Sequence, residues 1–299
     1  MKGLFFSSKK RHIVTTKIEH DCVLNSVRWL EKLGAKVTYL SVDEEGFVNL
    51  KELEKAITPD TLVVSIIHGN NEIGTIQDIE EIGKICQKKG VLFHTDACQS
   101  YTKTKIDVKK GLDLVTLNAH KIHGPKGIGA LYVREGIKLE PLLHGGGHEK
   151  GLRSGTENTP GIVGFAMAVK LAKRKYVKKM ERLRDRLIKG IEEIENVKLN
   201  GPRKKRLCNN VNFSFNNIEG EAIGSYLDSY GIASSTGSAC SNLVEGPSHV
   251  LKAIGLTDLQ ANTSLRLSLS RENTKQEIDK TIKILKKVVK KLRWISAIK

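Results

Sequence analysis

Asp78-Ile79-Glu80-Glu81-Ile82-Gly83-Lys84-Ile85-Cys86-Gln87-Lys88-Lys89-Gly90-Val91-Leu92-Phe93-His94-Thr95-Asp96 contains one whole helix-to-strand unit. Residues 78–89 read as a helix closed by Gly90, and Val91 to Thr95 reads as a buried strand that delivers Asp96 at its C-terminal end. The same alternation runs outward in both directions. Upstream it predicts strands at His12 to Thr16, Lys36 to Leu40 and Thr61 to Ile67, with helices at Asp21 to Leu33 and Leu50 to Ile57. Downstream it predicts strands at Leu112 to Leu117 and Ile128 to Val133. Such a rhythm implies a mostly parallel sheet covered by helices, whose ligands bind at the carboxyl ends of the strands.

From Asn158 to about Ile194 the pattern turns long, helical and lysine-rich, and Gly201-Pro202 then interrupts it. The domain boundary is expected near residue 176, giving a large domain over 1–176 and a small α+β domain over 177–299. In the second, strands are expected at Val211 to Phe215 and Leu265 to Leu269, and helices at Glu221 to Tyr230 and from Thr274 onward. A Ser/Gly-rich loop over Ser234 to Asn242 lies between them.

The chain has 299 residues, 39% hydrophobic and 28% charged, as expected of a globular protein with about two domains. No apolar run is long enough to cross a membrane, and the apolar opening at Leu4-Phe5-Phe6 ends too soon, at Ser7-Ser8-Lys9-Lys10-Arg11, for a signal peptide. A cytoplasmic location is expected. Five cysteines without a Cys-x-x-Cys pair argue against a disulfide framework or a zinc knuckle. Cys22, Cys86, Cys98 and Cys208 read as buried filler. The net charge of +17 lies largely on helices whose apolar positions keep helical spacing, so solvated helix face explains it better than direct nucleic-acid binding.

Lys121 follows the strand after the one that carries Asp96, within Asn118-Ala119-His120-Lys121-Ile122-His123-Gly124-Pro125. A lysine forms a Schiff base with an aldehyde cofactor such as pyridoxal phosphate, and a carboxylate opposite the pyridine nitrogen keeps that ring protonated and electron-withdrawing. Lys121, Asp96 and Gln99 are the candidates for holding such a group. Gly124-Pro125-Lys126-Gly127-Ile128-Gly129 has the wrong glycine order for a nucleotide loop and reads as a tight turn into a strand. His144 and His148 lack a rigid spacing, so no intrinsic metal site is expected. Cys240, in a loop of small residues, is the candidate nucleophile. Arg266, in an alternating Leu-Arg-Leu-Ser strand, reads either as an exposed strand residue or as a bidentate grip on a carboxylate.

These segments resemble the cysteine desulfurases, pyridoxal-phosphate enzymes of the class V aminotransferase superfamily. The resemblance runs through Lys17-Ile18-Glu19-His20, Val64 to Gly74, Asp96-Ala97-Cys98-Gln99-Ser100, His120-Lys121 and His144 to Glu149. It continues through Arg153-Ser154-Gly155-Thr156, Gly237-Ser238-Ala239-Cys240 and Ser264-Leu265-Arg266. It implies fold type I, with Lys121 as the Schiff-base lysine, Asp96 on the pyridinium nitrogen, Gln99 on the ring hydroxyl and His20 stacked on the ring. Asn71 would lie beside cofactor and substrate, Asn118, Ala119 and His120 would contact the phosphate, and Arg266 would hold the substrate carboxylate. Thr156 would reach the phosphate bound by a neighbouring subunit, which makes a homodimer part of the expectation.

The implied reaction converts L-cysteine to L-alanine and leaves a persulfide on Cys240. An iron–sulfur scaffold, whose cluster Cys240 would touch, or a tRNA-thiolation protein would accept the sulfur. Two departures stand out. Asn118 replaces the family's usual serine, which implies a changed phosphate contact. The family's pattern also begins upstream of Met1-Lys2-Gly3, with a Gly-Ala-Thr-Glu phosphate motif and a strand beside the one at Ile128 to Val133. The chain alone is therefore expected to bind cofactor weakly and to leave an apolar sheet edge unpaired. The rival readings are another class V aminotransferase or lyase, which has no use for Cys240, and a non-catalytic subunit that pairs with an intact homologue.

Overall fold

The structure is a computed structural model, and it describes residues 1–237 and 246–295. The chain divides into two compact units. The first comprises Met1–Ser41, Val48–Gly69 and Gln77–Lys173; the second comprises Val42–Phe47, Asn70–Ile76 and the chain from Arg174 onward.

In chain order the first unit holds α1 (Lys2–Ser7), β1 (His12–Thr16), α2 (Asp21–Glu31), β2 (Lys36–Leu40), α3 (Leu50–Ala56) and β3 (Thr61–Ser65). It continues with α4 (Ile79–Lys89), β4 (Leu92–Asp96), β5 (Leu114–Asn118), β6 (Gly129–Val133) and α5 (Thr159–Leu171). The sheet order is β2-β1-β3-β4-β5-β6. All neighbours pair in parallel except β5 and β6, which are antiparallel. Every residue of β1 and β3 is buried, the signature of strands covered on both faces, and their β-branched side chains suit that pleated interior. Among the described residues β6 pairs with β5 alone and is mostly exposed, Leu131 to 49%.

The opening stretch shows how sequence becomes packing. Asp78 caps α4 by accepting from Glu81 N–H at 3.3 Å. Gly90 ends it in the left-handed conformation (φ 63°) and returns its own N–H to the carbonyls of Cys86 and Gln87. Ile79, Ile82, Gly83 and Cys86, spaced at helical intervals, are buried against the sheet, and each large side chain contributes about 1.5 to 3 kcal/mol. Gly83 is required by contact, because a β-carbon there would sit 2.5 Å from the Lys110 carbonyl.

The second unit holds α6 (Arg174–Glu192), β7 (Val197–Leu199), β8 (Asn210–Phe215), α7 (Gly220–Asp228), α8 (His249–Ala253), α9 (Asp258–Asn262), β9 (Ser264–Ser268) and α10 (Lys275–Ile295). The strands form an antiparallel sheet in the order β7-β8-β9. Its core joins Phe213, Phe215, Leu265 and Leu267 to apolar faces of α6, α7 and α10. Buried Arg206 binds the carbonyls of Asn200, Pro202 and Asn210 at 2.9 to 3.0 Å and Asn210 Oδ1 at 2.9 Å. The segment Asn70–Ile76 joins this unit through Ile76 N–H to Lys205 carbonyl (2.8 Å) and Leu207 N–H to Gly74 carbonyl (2.8 Å).

Candidate active site

Because β1, β3, β4 and β5 run in parallel, the residues that follow them emerge at one edge of the sheet. After β1, buried Glu19 accepts through Oε1 from the Thr16 hydroxyl at 2.7 Å and from Ile67 N–H at 2.8 Å, tying the ends of β1 and β3 together. Burial chiefly, helped by the Asp96 charge, pushes the Glu19 carboxyl up to about 8, so it holds a proton at neutral pH. His20 follows as the N-cap of α2, its Nδ1 accepting from Cys22 N–H at 3.2 Å, which fixes the ring.

Asp96 ends β4 with 5% of its surface exposed, and its Oδ1 accepts from Cys98 N–H at 2.9 Å. A carboxylate offers several further acceptor positions, so capacity remains for another donor. Two positions before it, His94 bridges the sheet: Nδ1 meets Ser65 Oγ and Nε2 meets Thr116 Oγ1, each at 2.8 Å. Burial lowers His94 to about 3, so it is neutral and structural. Gln99 is half-buried, and its backbone carbonyl accepts from Lys103 Nζ at 2.7 Å.

Asn118 ends β5 and accepts through Oδ1 from Lys121 N–H at 3.2 Å, closing the short 3-10 turn His120–Ile122. Ala119 and Ile122 anchor that turn in a small apolar cluster with Phe165 and Ala168. The Lys121 side chain stays exposed. Around Asp96 the electrostatics converge. Although Cys22 as a whole residue is exposed, loss of water around its sulfur first, then Asp96 and Glu19, push the thiol up to about 11. Cys98 is raised by burial and Asp96, with Lys121 acting in the opposite sense. Asp96 thus acts on both thiols, and Asp96, Cys22 and Lys121 all act on Cys98. Asp96 also lines a cavity of about 1200 Å³ together with Cys22, Tyr101, Thr116 and Arg153. The expectation of four filler cysteines needs correcting, because Cys86 and Cys208 are buried but Cys22 is exposed and Cys98 half-exposed at this strand edge. Thr156 lies exposed in the loop ahead of α5.

In the second unit Arg266 is half-buried. Its backbone bridges to Ser235, and its Nη1 donates to the Asn71 carbonyl at 3.2 Å, so the structure brings these two predicted residues together. Cys240 lies outside the described residues. Sequence reasoning passed over Glu19 and Glu72, both buried carboxyls whose only signal was their place inside quoted motifs. Among the described residues no group of three His, Cys, Asp or Glu is placed to hold a metal ion, and no helix is long and apolar enough to cross a membrane.

The mostly parallel sheet, with a carboxylate at one strand end and a lysine on the turn after the neighbouring strand, is that of a fold-type I transferase. The aminotransferase class-V family matches residues 3–281. The chain is 51% identical over 305 residues to a cysteine desulfurase IscS of Clostridium botulinum, with 99% of this chain and 77% of that protein covered. A solved NifS-like protein superposes with a TM-score of 0.89 at 40% identity, covering 97% of this chain and 79% of the other. A structure described as SspA in complex with cysteine gives 0.80 at 39% identity, over 91% of this chain and 78% of that one. The chain belongs to the class V aminotransferase family, in its cysteine desulfurase branch.

Proposed function

We propose that the protein is a pyridoxal-phosphate-dependent cysteine desulfurase that converts L-cysteine to L-alanine and loads the sulfur onto Cys240. The observation that carries this reading is the buried Asp96 carboxylate at the end of β4 and the exposed Lys121 amine on the turn after the neighbouring β5, both of which act on the Cys98 thiol. The donor set fits the cofactor. Asp96 has acceptor capacity for a protonated ring nitrogen, Lys121 offers the amine, and Asn118 and His120 supply polar groups on one turn for the phosphate.

Pyridoxal phosphate would supply an electron sink for the substrate α-carbon when bound. Asp96 would hold the ring nitrogen in its protonated form. His20 would stack on the ring, and Gln99 would donate to its hydroxyl. Asn118, Ala119 and His120 hold the phosphate, with Thr156 serving the cofactor of a second copy in a homodimer. Lys121 would anchor the cofactor and, as a free amine, would carry the proton taken from the substrate α-carbon. Arg266 grips the substrate carboxylate, with Asn71 beside it.

Cys240 as thiolate attacks the cysteine sulfur. A sulfur–sulfur bond forms, the carbon–sulfur bond breaks with its electron pair left on carbon, and the thiol proton ends on the methyl group of alanine. No outside oxidant is needed. The persulfide then passes to an iron–sulfur scaffold, where Cys240 touches the cluster, or to a tRNA-thiolation protein in the cytoplasm. The test is to supply cofactor and L-cysteine and measure alanine against sulfane sulfur. Equal amounts are expected; a keto-acid product instead would move the protein to the aminotransferases.

A further inference from the structure

Glu72 is 2% exposed and belongs to the same compact unit as the residues on either side of the segment that carries Cys240. Its Oε2 accepts from Ser248 Oγ at 2.5 Å. Ser248 lies three residues beyond the end of 238–245, and Gly237 immediately precedes that segment. Gly237 has φ 63°, and a β-carbon built on it would sit 3.4 Å from Glu72 Oε2, so the carboxylate lies against its backbone. Ser248 also caps α8 by accepting from Leu251 N–H at 3.2 Å, so its position is passed on to a helix.

The backbone of Glu72 is held as firmly as its side chain. Its carbonyl accepts from Asn210 Nδ2 at 2.9 Å and Asn212 Nδ2 at 3.1 Å, both on β8, and its N–H donates to Asn70 Oδ1 at 2.8 Å. The preceding residue, Asn71, is the one whose carbonyl receives Arg266. A buried carboxylate is an expensive way to fill space, since an apolar side chain of like volume stabilises as well or better. Here it sits where one short peptide meets both the substrate-binding candidates and the two points from which residues 238–245 depart.

We infer that Glu72 is a positioning residue for sulfur transfer: it fixes Gly237 and Ser248 relative to Asn71 and Arg266, and so sets the start and end points of the chain that carries Cys240. The inference rests on the reading of Cys240 as the sulfur acceptor. It concerns the transfer step and not cofactor capture or substrate affinity.

The experiment uses the whole protein with pyridoxal phosphate and a single turnover of L-cysteine. The Cys240 peptide is followed by mass for the gain of one sulfur, and cysteine affinity is read separately from the cofactor absorbance. A third reading, the alkylation rate of Cys240 by iodoacetamide in cofactor-free protein, is independent of turnover. Glu72→Gln and Ser248→Ala are each expected to slow sulfur gain at Cys240 by about tenfold to a hundredfold, the scale of a misplacement of about 1 Å. Cysteine affinity should stay within about twofold, and the alkylation rate should change. Ser248→Thr, which keeps the hydroxyl, should restore both rates. Ser248→Ala guards against a folding failure at Glu72, since it removes one hydroxyl and a single helix cap and leaves the buried carboxyl in place. Unchanged transfer in both variants, transfer and affinity falling together, or no rescue by Ser248→Thr would each overturn the inference. A parent protein that gains no sulfur at Cys240 would instead overturn the acceptor reading beneath it.

Discussion

Glu19→Gln is expected to remove the component of the first unit's pH dependence that lowers its stability between about pH 5 and pH 8, whereas His68, His94 and the Met1 amine, all lowered by burial, act in the opposite sense and remain in both proteins. The carboxyl is fully buried, and burial raises it from 4.5 to about 8 even though Ile67 N–H and the Thr16 hydroxyl bond to it and act in the opposite direction. A difference of about 3.5 units corresponds to about 5 kcal/mol at about 1.36 kcal/mol per unit. The unfolded chain releases this proton near pH 4.5, whereas the folded chain keeps it to about pH 8. Between those values the native state is the more protonated, so its stability falls as pH rises, by at most about 1.4 kcal/mol per unit. Glutamine keeps the acceptor toward Thr16 and Ile67 and cannot ionise. With two compact units, a single global transition is a poor reporter, so the assay is amide hydrogen exchange in peptides spanning residues 12–24 and 61–68. Parent and variant should be protected alike near pH 5, and the variant should be the better protected by several kcal/mol (about 3 to 5) above pH 8. Parallel pH profiles would refute the reasoning, because they would mean that Glu19 stores no proton.

Arg266→Ala should weaken cysteine binding by about 2 to 4 kcal/mol in an equilibrium titration, and Arg266→Lys should recover only part, because a point charge cannot reproduce the guanidinium fork. Unchanged affinity in both would leave Arg266 as a support for Asn71. Lys121→Ala should abolish borohydride-fixable attachment of pyridoxal phosphate, read by intact mass; fixation on another lysine would sink the assignment. Arg206→Lys should destabilise the second unit by about 2 to 4 kcal/mol, since one ammonium cannot serve the Asn200, Pro202 and Asn210 acceptors that the guanidinium binds. Hydrogen exchange across β8 would show it.

The parallel sheet was legible because its strands are short apolar runs delimited by strong helix-stop signals such as Gly90, which closes α4 as expected and does so in the left-handed conformation. The ends of β4 and β5, with Asp96 and Asn118, were legible for the same reason. The antiparallel direction of β6 was not, since strand direction leaves no mark on residue periodicity. β7, α8 and α9 escaped because three to five residues are too few to display a period. The membership of Asn70–Ile76 in the second unit depends on bonds to residues far along the chain, Asn210 and Asn212 among them. Glu19 and Glu72 were invisible on the same ground: their burial comes from partners 48 and 176 residues away. Cysteine type and neighbours also proved a poor guide to exposure, as Cys22 and Cys98 show.

The central claim is that sulfur leaves cysteine by way of Cys240, and the most direct measurement is the mass of the Cys240 peptide after one turnover with isotopically labelled L-cysteine. The account predicts one labelled sulfur on Cys240 for each alanine released, and no alanine from Cys240→Ala although that variant still binds cofactor and cysteine. Alanine released with an unmodified Cys240, and at the same rate from Cys240→Ala, would contradict it.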